Sequence, residues 1–178
     1  VIPRLSASKT PLHNRQLSSA EAEAILQKFY RPFHHKLSEL LAIVQRTHSH
    51  IILMDIHSMP AEQAHIRGPV PDVIFGNLYG ATLADRLVET VDKIMTTSRY
   101  HWRWNNPYAG GYITRHYGLP EASSARRTPA KGTISVLQVE INRGLYVAPP
   151  CGVQSHKIAE ITSLLDRIAT ALASASSE

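Results

Sequence analysis

The sequence has little cysteine and no long apolar run. Its single cysteine, Cys151, excludes an internal disulfide and a zinc knot built from several cysteines, a usage typical of a reducing compartment. No stretch reaches the ~20 apolar residues of a membrane span, and no charged-then-apolar leader opens the chain. We therefore expect a cytoplasmic protein without a membrane partner. Because the chain does not begin with Met, we expect the natural start to lie upstream of Val1.

Charged residues are also sparse, at 19% of the 178 positions, whereas 43% are hydrophobic. This composition suffices for one sizeable core, and glycine and proline are too dispersed to form a linker, so we predict a single domain over residues 1–178.

The net charge of the chain is +5, and the basic residues are densest at Arg126, Arg127 and Lys131. We interpret this run as a solvated loop, since nucleic-acid binding needs basic residues clustered on one face. A nucleic-acid partner is therefore not expected.

A helix is predicted after an irregular arm of residues 1–17. Ser18 and Glu21 have the spacing of a capping box, in which each side chain binds a free backbone amide of the other residue. Pro32 should kink this helix or separate two helices, because proline lacks an amide hydrogen and clashes with the preceding turn. The apolar residues recur at the spacing of one helical face: Ile25, Phe29, Phe33, Leu37, Leu40, Leu41 and Val44.

The most informative stretch is residues 51–60, an apolar run that ends in the pattern Asp55, Ile56, His57. The run has no helical period and is followed by Pro60, which is typical of a fully buried central strand covered on both faces. His57 then falls at the carboxyl end of the strand, where ligands and catalytic groups gather in open α/β sheets. His57 is therefore the first candidate site residue.

A second strand is predicted over residues 134–143, and one of its faces changes from apolar to polar toward the carboxyl end. This is typical of a strand that begins in a core and ends in an active site. With a period of two, one face carries Ile134, Val136, Gln138, Glu140 and Asn142, and the other carries Leu137, Val139 and Ile141.

The remaining segments alternate between strand and helix patterns. Strands are predicted over residues 72–76 and 100–104, and helices over residues 81–95, with Thr82 as the cap, and 154–173. Residues 105–118 are aperiodic and contain two adjacent glycines, whose backbone can approach a ligand closely. The alternation predicts an α/β sandwich on a mixed sheet.

Two strand ends carry complementary chemistry. His57 can bind a metal, and Glu140 can act as general base on a metal-bound water, since catalytic zinc sites combine nitrogen or oxygen ligands with an open water position. The alternative for His57 is a structural histidine bonded to a backbone carbonyl. A purely structural role is less expected for Glu140 than for His57, because a carboxylate in an apolar strand is seldom buried without a functional or ion-pair reason.

Other reactive side chains are weaker candidates. His34 lies on the first helix beside His35, and such a pair is more often structural than functional. His116, in the segment with the two glycines, ranks above the histidines in loops and at chain ends. Cys151 with His156 lacks an oriented base, and Ser58 lacks the Gly-x-Ser-x-Gly elbow, so neither a cysteine nor a serine nucleophile is favoured.

Taken together, these motifs resemble the N-formylglutamate amidohydrolase family. Their order and approximate spacing agree over most of the chain, and the Gly-Gly-Tyr-Ile-Thr-Arg-His-Tyr-Gly run of residues 110–118 is the most specific of them. The matching segments are residues 30–34, 55–60, 72–76, 106–118, 138–143 and 145–146.

The resemblance implies a three-layer α/β/α sandwich on a mixed sheet, similar to zinc carboxypeptidases. It implies metal-dependent hydrolysis of N-formyl-L-glutamate or a similar small N-acyl acidic amino acid, with release of formate and glutamate, and zinc or another divalent metal as cofactor. Arginine suits the substrate carboxylates because its planar guanidinium makes two parallel bonds. The implied roles are metal ligand for His57, catalytic carboxylate for Glu140, and substrate binding for Arg115, Arg143, Asn105, Asn106, Gly110 and Gly111. His34 and His116 stay candidates of lower rank.

The chain departs from the family pattern at its amino-terminal side. In the family, we expect a preceding region with a Pro-His-Ser-Gly-type motif to supply the other metal ligands. Two alternatives follow: the sequence is a piece of a longer, metal-dependent enzyme, or it is a metal-free, inert relative that serves as a carboxylate-binding or structural module. The sequence indicates no oligomeric state.

Overall fold

A computed structural model of the chain describes residues 2–6, 10–62, 68–119, 133–148 and 152–176. These residues belong to two compact units, Val1–Val44 and Gln45–Glu178. The single domain expected from composition stays a prediction. In the described ranges, no helix is long and apolar enough to cross a membrane. Arg126, Arg127, Lys131 and Cys151 lie outside the described residues, and so do the interpretations that involve them.

The first unit is mainly one interrupted helix, formed by α1 (Ser19–Ile25), a π-helical turn (Leu26–Tyr30) and α2 (Arg31–Val44). The capping box at its start is confirmed: the Ser18 hydroxyl accepts from the Glu21 amide at 3.3 Å, and the Glu21 carboxylate accepts from the Ser18 amide at 2.9 Å. Near Pro32, where a kink or a break was predicted, the helix instead changes type, with helical backbone angles at Ile25 and Arg31 on either side of the π-helical turn. Pro32 lies in the first turn of α2, directly after the π-helical turn, because it cannot donate the hydrogen bond that a continuous helix requires.

The predicted apolar face of this helix is less buried than its spacing indicates. Leu41 is buried at 5% exposure, but Phe29 and Phe33 are 62% and 53% exposed. Helical spacing reports that apolar residues share one side, not that another element covers that side.

The second unit contains a mixed four-stranded sheet in the order β1-β4-β2-β3. β4 is parallel to β1 and antiparallel to β2, and β2 is parallel to β3. This confirms the predicted sheet type. The elements are β1 (His50–Met59), β2 (Val73–Gly76), α3 (Asp85–Thr96), β3 (Trp102–Trp104), α4 (Tyr112–Gly118), β4 (Thr133–Asn142), a 3-10 turn (Arg143–Leu145), the hairpin strands β5 (Val147–Ala148) and β6 (Gly152–Val153), and α5 (Ser155–Ala175).

Helices lie on both faces of the sheet. On one face, α3 and α5 pack against the apolar side of β4 through residues such as Leu87, Ile168 and Val139, all fully buried. On the opposite face, α4 contacts β4 through the side chain of Gln138. The alternation of β4 is therefore confirmed, since its odd-numbered residues face the core and Gln138 and Glu140 face the other way.

The prediction that residues 51–60 form a fully buried central strand is wrong for the described sheet. β1 is an edge strand, and Ile56 is 51% exposed. An apolar run reports that both faces of a strand are apolar, but it carries no information on whether both edges are hydrogen-bonded to neighbours.

Two local predictions also need correction. Thr82 does not cap α3, which begins at Asp85 after an Ala84 without a side-chain cap; the Thr82 hydroxyl instead donates to the Val136 carbonyl at 2.8 Å. The segment with the two glycines is not irregular throughout, because it contains α4. A seven-residue helix offers too few turns for its period to be recognised in the sequence.

Candidate active site

The two predicted site strands are neighbours, and their register brings the key residues together. In the parallel pair β1–β4, His57 is opposite Glu140 and Asp55 is opposite Gln138. Residues opposite each other on neighbouring strands point to the same face of the sheet. The four side chains therefore form one polar cluster near the carboxyl ends of both strands.

The imidazole of His57 is held by a carboxylate that the sequence analysis did not single out. His57 Nε2 lies 2.9 Å from Asp55 Oδ1, with the Asp55 side chain 13% exposed and the His57 side chain 45% exposed. Because a carboxylate accepts, Nε2 carries the hydrogen, and Nδ1 keeps its lone pair for another partner. The available signal was the Asp-x-His spacing, which places both residues on the same face of a strand.

Glu140 is the buried acid of the cluster, with only 8% exposure. Its pKa is raised above the ordinary value, mainly by burial and further by the negative charge of Asp55. The nearby His57 and the hydrogen bond from Gln138 act in the opposite direction. The site therefore holds a carboxyl group that keeps its proton more readily than an exposed glutamate does.

Gln138 connects Glu140 to the segment with the two glycines. Its Nε2 donates to Glu140 Oε1 at 3.0 Å, and its Oε1 accepts from the Gly111 amide at 2.6 Å. The Thr114 hydroxyl donates to the same Oε1 at 3.4 Å. The Gly111 amide, assigned to substrate by the family resemblance, is thus engaged within the protein.

Tyr108 is a further neighbour of Glu140 that the sequence analysis missed. The pKa of Tyr108 is raised, first by burial and then by the negative charge of Glu140. The backbone of residues 108–110 passes close to Gly76. A Cβ added to Gly76 would lie 2.8 Å from the Ala109 carbonyl carbon and 2.9 Å from the backbone carbonyl oxygen of Tyr108. Gly76, the last residue of β2, therefore permits the approach of Tyr108 to the site.

The remaining predicted binding residues lie on α4, in the 3-10 turn after β4 and in the loop after β3. Arg115 and Arg143 are exposed, and Arg143 Nε donates to the Met59 carbonyl at 3.4 Å. Asn105 has a positive φ of 57°, and its side chain is bonded to the loop after β2, with Nδ2 donating to Asn77 Oδ1 at 2.9 Å. Asn106 is exposed. Both predicted carboxylate-binding arginines therefore have exposed side chains.

Gly110 and the two lower-ranked histidines have mainly local contacts. Gly110 has a φ of 135° and packs against Thr114, so it shapes the start of α4. His116 stacks on Tyr112 with ring centroids 5.1 Å apart. His34 belongs to the first unit, where its ring lies 4.3 Å from that of Tyr30. Both positions stay predictions as site residues.

The described residues do not by themselves make a metal site. Among them, no group of three or more histidine, cysteine, aspartate or glutamate side chains is arranged to hold an ion. His57 with a carboxylate on its second nitrogen has the form of a metal-binding histidine, since that bond fixes the tautomer. One such residue is not sufficient for a catalytic metal, which takes three protein ligands in known zinc sites.

A mixed sheet flanked by helices, with a buried carboxylate beside a carboxylate-bound histidine, defines an α/β protein with a candidate site at the carboxyl ends of two strands. The model of the N-formylglutamate amidohydrolase family matches residues 1–147. The chain therefore belongs to the N-formylglutamate amidohydrolase family. This confirms the resemblance inferred from the motifs.

Individual relatives agree with this assignment. The chain is 29% identical to N-formylglutamate deformylases of Pseudomonas aeruginosa, over 62% of its length, and of Pseudomonas putida, over 73%. It spans about half of these curated relatives, 43% and 46% of their lengths.

Two solved structures share the fold. An N-formylglutamate amidohydrolase from Ralstonia eutropha JMP134 is 27% identical with a TM-score of 0.71, and the alignment covers 93% of this chain and 57% of that one. A gene product of Agrobacterium tumefaciens is 21% identical with a TM-score of 0.70, covering 97% and 62%, and supports the fold alone.

Proposed function

We propose that this chain carries the acid–base centre of an N-formylglutamate deformylase, which hydrolyses the formyl amide of N-formyl-L-glutamate to formate and glutamate. The observation that carries the proposal is the buried Glu140 carboxylate opposite the carboxylate-bound His57 on the adjacent strand end. Family membership and the names of the curated relatives support the substrate class.

Glu140 would act as the general base. As the oxygen of a water molecule forms a bond to the formyl carbon, Glu140 accepts a proton from that water. It then donates the proton to the departing amide nitrogen while the carbon–nitrogen bond breaks, which yields formic acid and a free amine; the acid then releases its proton to become formate. The raised pKa of Glu140, caused mainly by burial, favours this return of the proton.

Arg115 and Arg143 are proposed to bind the two carboxylates of the substrate. Both side chains are exposed, and a guanidinium makes paired hydrogen bonds with a carboxylate. Arg143 directly follows β4, three residues after Glu140, so a carboxylate on it would keep the substrate near the strand end that carries the base.

We extend the proposal to a divalent metal, zinc by preference, with His57 as one ligand. The support is the Asp55–His57 hydrogen bond of 2.9 Å, which leaves Nδ1 of His57 free to coordinate. Further ligands would have to come from outside the described residues. The expected cytoplasmic location, based on the single cysteine, belongs to the same proposal.

The decisive experiment measures formate release from N-formyl-L-glutamate by the purified chain supplied with zinc. Glu140→Gln keeps the size of the side chain and its bond to Gln138 but removes the base, so turnover should fall by about 10²- to 10⁴-fold. Glu160→Gln, on the exposed side of α5, is the matched control and should retain activity. Wild-type-like turnover by Glu140→Gln would refute the proposal.

A second candidate is a metal-free carboxylate-binding module. It is favoured by one observation, that the described residues contain no three-residue metal cluster. Metal analysis and calorimetric titration with N-formyl-L-glutamate distinguish the two candidates. Substrate binding that requires Arg115 and Arg143, in a chain with neither bound metal nor turnover, would support the second.

A further inference from the structure

We propose that Gln138 is a positioning residue that holds the Glu140 carboxylate in a fixed orientation and ties it to the start of α4. The inference deepens the proposed function and rests on the role of Glu140 as general base. It assigns a task to a buried polar side chain, 5% exposed, that lies on the site face of β4 between α4 and the acid.

The orientation of the Gln138 amide follows from its partners. The Gly111 backbone amide can only donate, so the atom 2.6 Å from it must be the oxygen Oε1. The Thr114 hydroxyl, at 3.4 Å, donates to the same oxygen. Nε2 is therefore directed to Glu140, where it donates to Oε1 at 3.0 Å. Rotating the amide by half a turn would place Nε2 against the Gly111 amide, two donors facing each other.

This fixed amide has a consequence for the chemistry of Glu140. The hydrogen bond from Gln138 to Oε1 fixes the orientation of the Glu140 carboxylate. In the proposed reaction, the other oxygen, Oε2, takes the proton from water and passes it to the leaving amine. Without the bond, the carboxylate would rotate about its terminal torsion, which is broad in glutamate. Misplacement of a catalytic group by about 1 Å can lower a rate about 10²-fold.

Gly111 extends the connection beyond the strand. Its amide belongs to the residue that precedes α4, and a Cβ added to Gly111 would lie 3.2 Å from Gln138 Oε1. Glycine at this position lets the backbone approach the glutamine closely. The start of α4, Gln138 and Glu140 thus form one hydrogen-bonded series.

The kinetic test compares Gln138→Met, which keeps the side-chain length but removes all three hydrogen bonds of the amide, with Thr114→Val, which removes only the longer contact to Oε1. In the zinc-supplied chain, Gln138→Met should lower kcat for formate release about 10²-fold with KM within about threefold of wild type, because the substrate-binding groups are unchanged. Thr114→Val, which leaves the bonds from Gly111 and to Glu140 in place, should lower kcat by a clearly smaller factor than Gln138→Met. A wild-type kcat for Gln138→Met, or equal losses in the two variants, would overturn the inference.

A spectroscopic test does not depend on turnover. In ¹H–¹⁵N spectra, the Gln138 side-chain amide of the wild type should give resolved, exchange-protected signals. Glu140→Met should shift and deprotect one of its two protons, whereas Glu140→Gln, which retains an acceptor oxygen, should preserve the pattern. Unchanged signals in Glu140→Met overturn the inference even where Gln138→Met fails to fold.

The outcomes also separate this inference from the proposed function. An inactive wild type would overturn both. An active wild type that loses turnover in Glu140→Gln but keeps full kcat in Gln138→Met would leave the proposed function standing and overturn the positioning role alone.

Discussion

At the scale of single residues, the candidate site depends on polar side chains that fix one another. Asp55 holds His57, and Gln138 holds Glu140, each through one hydrogen bond of about 3 Å between residues two apart on the same strand. Because i and i+2 share a face of a strand, each strand supplies both a functional group and the partner that orients it. We therefore predict that the partner residues, Asp55 and Gln138, are nearly as important for activity as His57 and Glu140.

The Asp55→Asn variant tests the support of His57. An amide can present its oxygen to Nε2–H, but it lacks the charge that makes the imidazole a stronger ligand, so metal affinity and formate release should each fall by about 10- to 100-fold. Both are measured by metal titration and steady-state kinetics. Asp166→Asn, on the exposed side of α5, is the control. Equal activity of the two variants would contradict the support of His57 by Asp55.

The Gly76→Ala variant tests the close packing beside Tyr108. Its Cβ would lie 2.8–2.9 Å from three backbone atoms of residues 108–110, so the backbone must shift. We expect a loss of about 1–3 kcal/mol in the free energy of unfolding, measured by denaturant titration, together with reduced turnover. Gly152→Ala is the control, because among the described residues the nearest atom to its Cβ is the Ala148 carbonyl oxygen, at 3.9 Å. Similar stabilities of the two variants would contradict the interpretation.

At the scale of elements, the start of α1 is stabilised by the capping box and by Arg15. The Glu21 carboxylate accepts from Arg15 Nη1 at 2.8 Å and from the Ser18 amide at 2.9 Å. The pKa of Glu21 is lowered to about 2, first by the hydrogen bond from Arg15 and then by those from Ser18. The cap is therefore linked to pH.

The sign of this linkage gives a prediction. A carboxyl whose pKa is lowered from 4.5 to about 2 on folding contributes its full stabilisation above about pH 4.5 and loses it as the pH falls toward 2. In the wild type, α1 should therefore lose helical structure as the pH falls from about 4.5 to about 2. Glu21→Gln has no carboxylate to protonate and should show a smaller loss. NMR chemical shifts of residues 19–25 measure the helical structure in both proteins. The effect should be small, because the pair is exposed to solvent.

Ser18→Ala provides the comparison for the same helix. It removes the hydroxyl acceptor and should cost about 1 kcal/mol of helix stability already at neutral pH. Identical acid titrations of wild type and Glu21→Gln would show that the ionised carboxylate does not contribute to the cap.

At the scale of the whole molecule, charge is expected to influence substrate capture. The chain carries a net charge of +5, and the proposed substrate has two carboxylates. Attraction over distances beyond contact is screened as the Debye length falls from about 30 Å at 0.01 M salt to about 3 Å at 1 M.

We therefore expect kcat/KM for N-formyl-L-glutamate to decrease with added salt while kcat changes little, as measured by steady-state kinetics at several ionic strengths. N-formyl-L-glutamine, which has one carboxylate fewer, should show a shallower decrease. A salt-independent kcat/KM would indicate that only short-range contacts guide the substrate.

Much of the fold could be predicted because its signals are local. The capping box at Ser18 and the alternation of β4 depend on spacing within a few residues, and both are confirmed. The edge position of β1 could not be predicted, since strand neighbours are selected by pairing between distant segments. The short helix α4 was missed because its glycine-rich start and few turns hide the helical period.

The sequence by itself determined which face of β4 is apolar, where the first helix begins, and that Glu140 lies on a polar strand face, because side-chain periodicity and capping both depend on local backbone geometry. Only the tertiary structure decided that Glu140 stands opposite His57 and that Gly111 reaches Gln138. These contacts join segments far apart in the chain, and their register depends on how all the neighbouring strands and helices pack together.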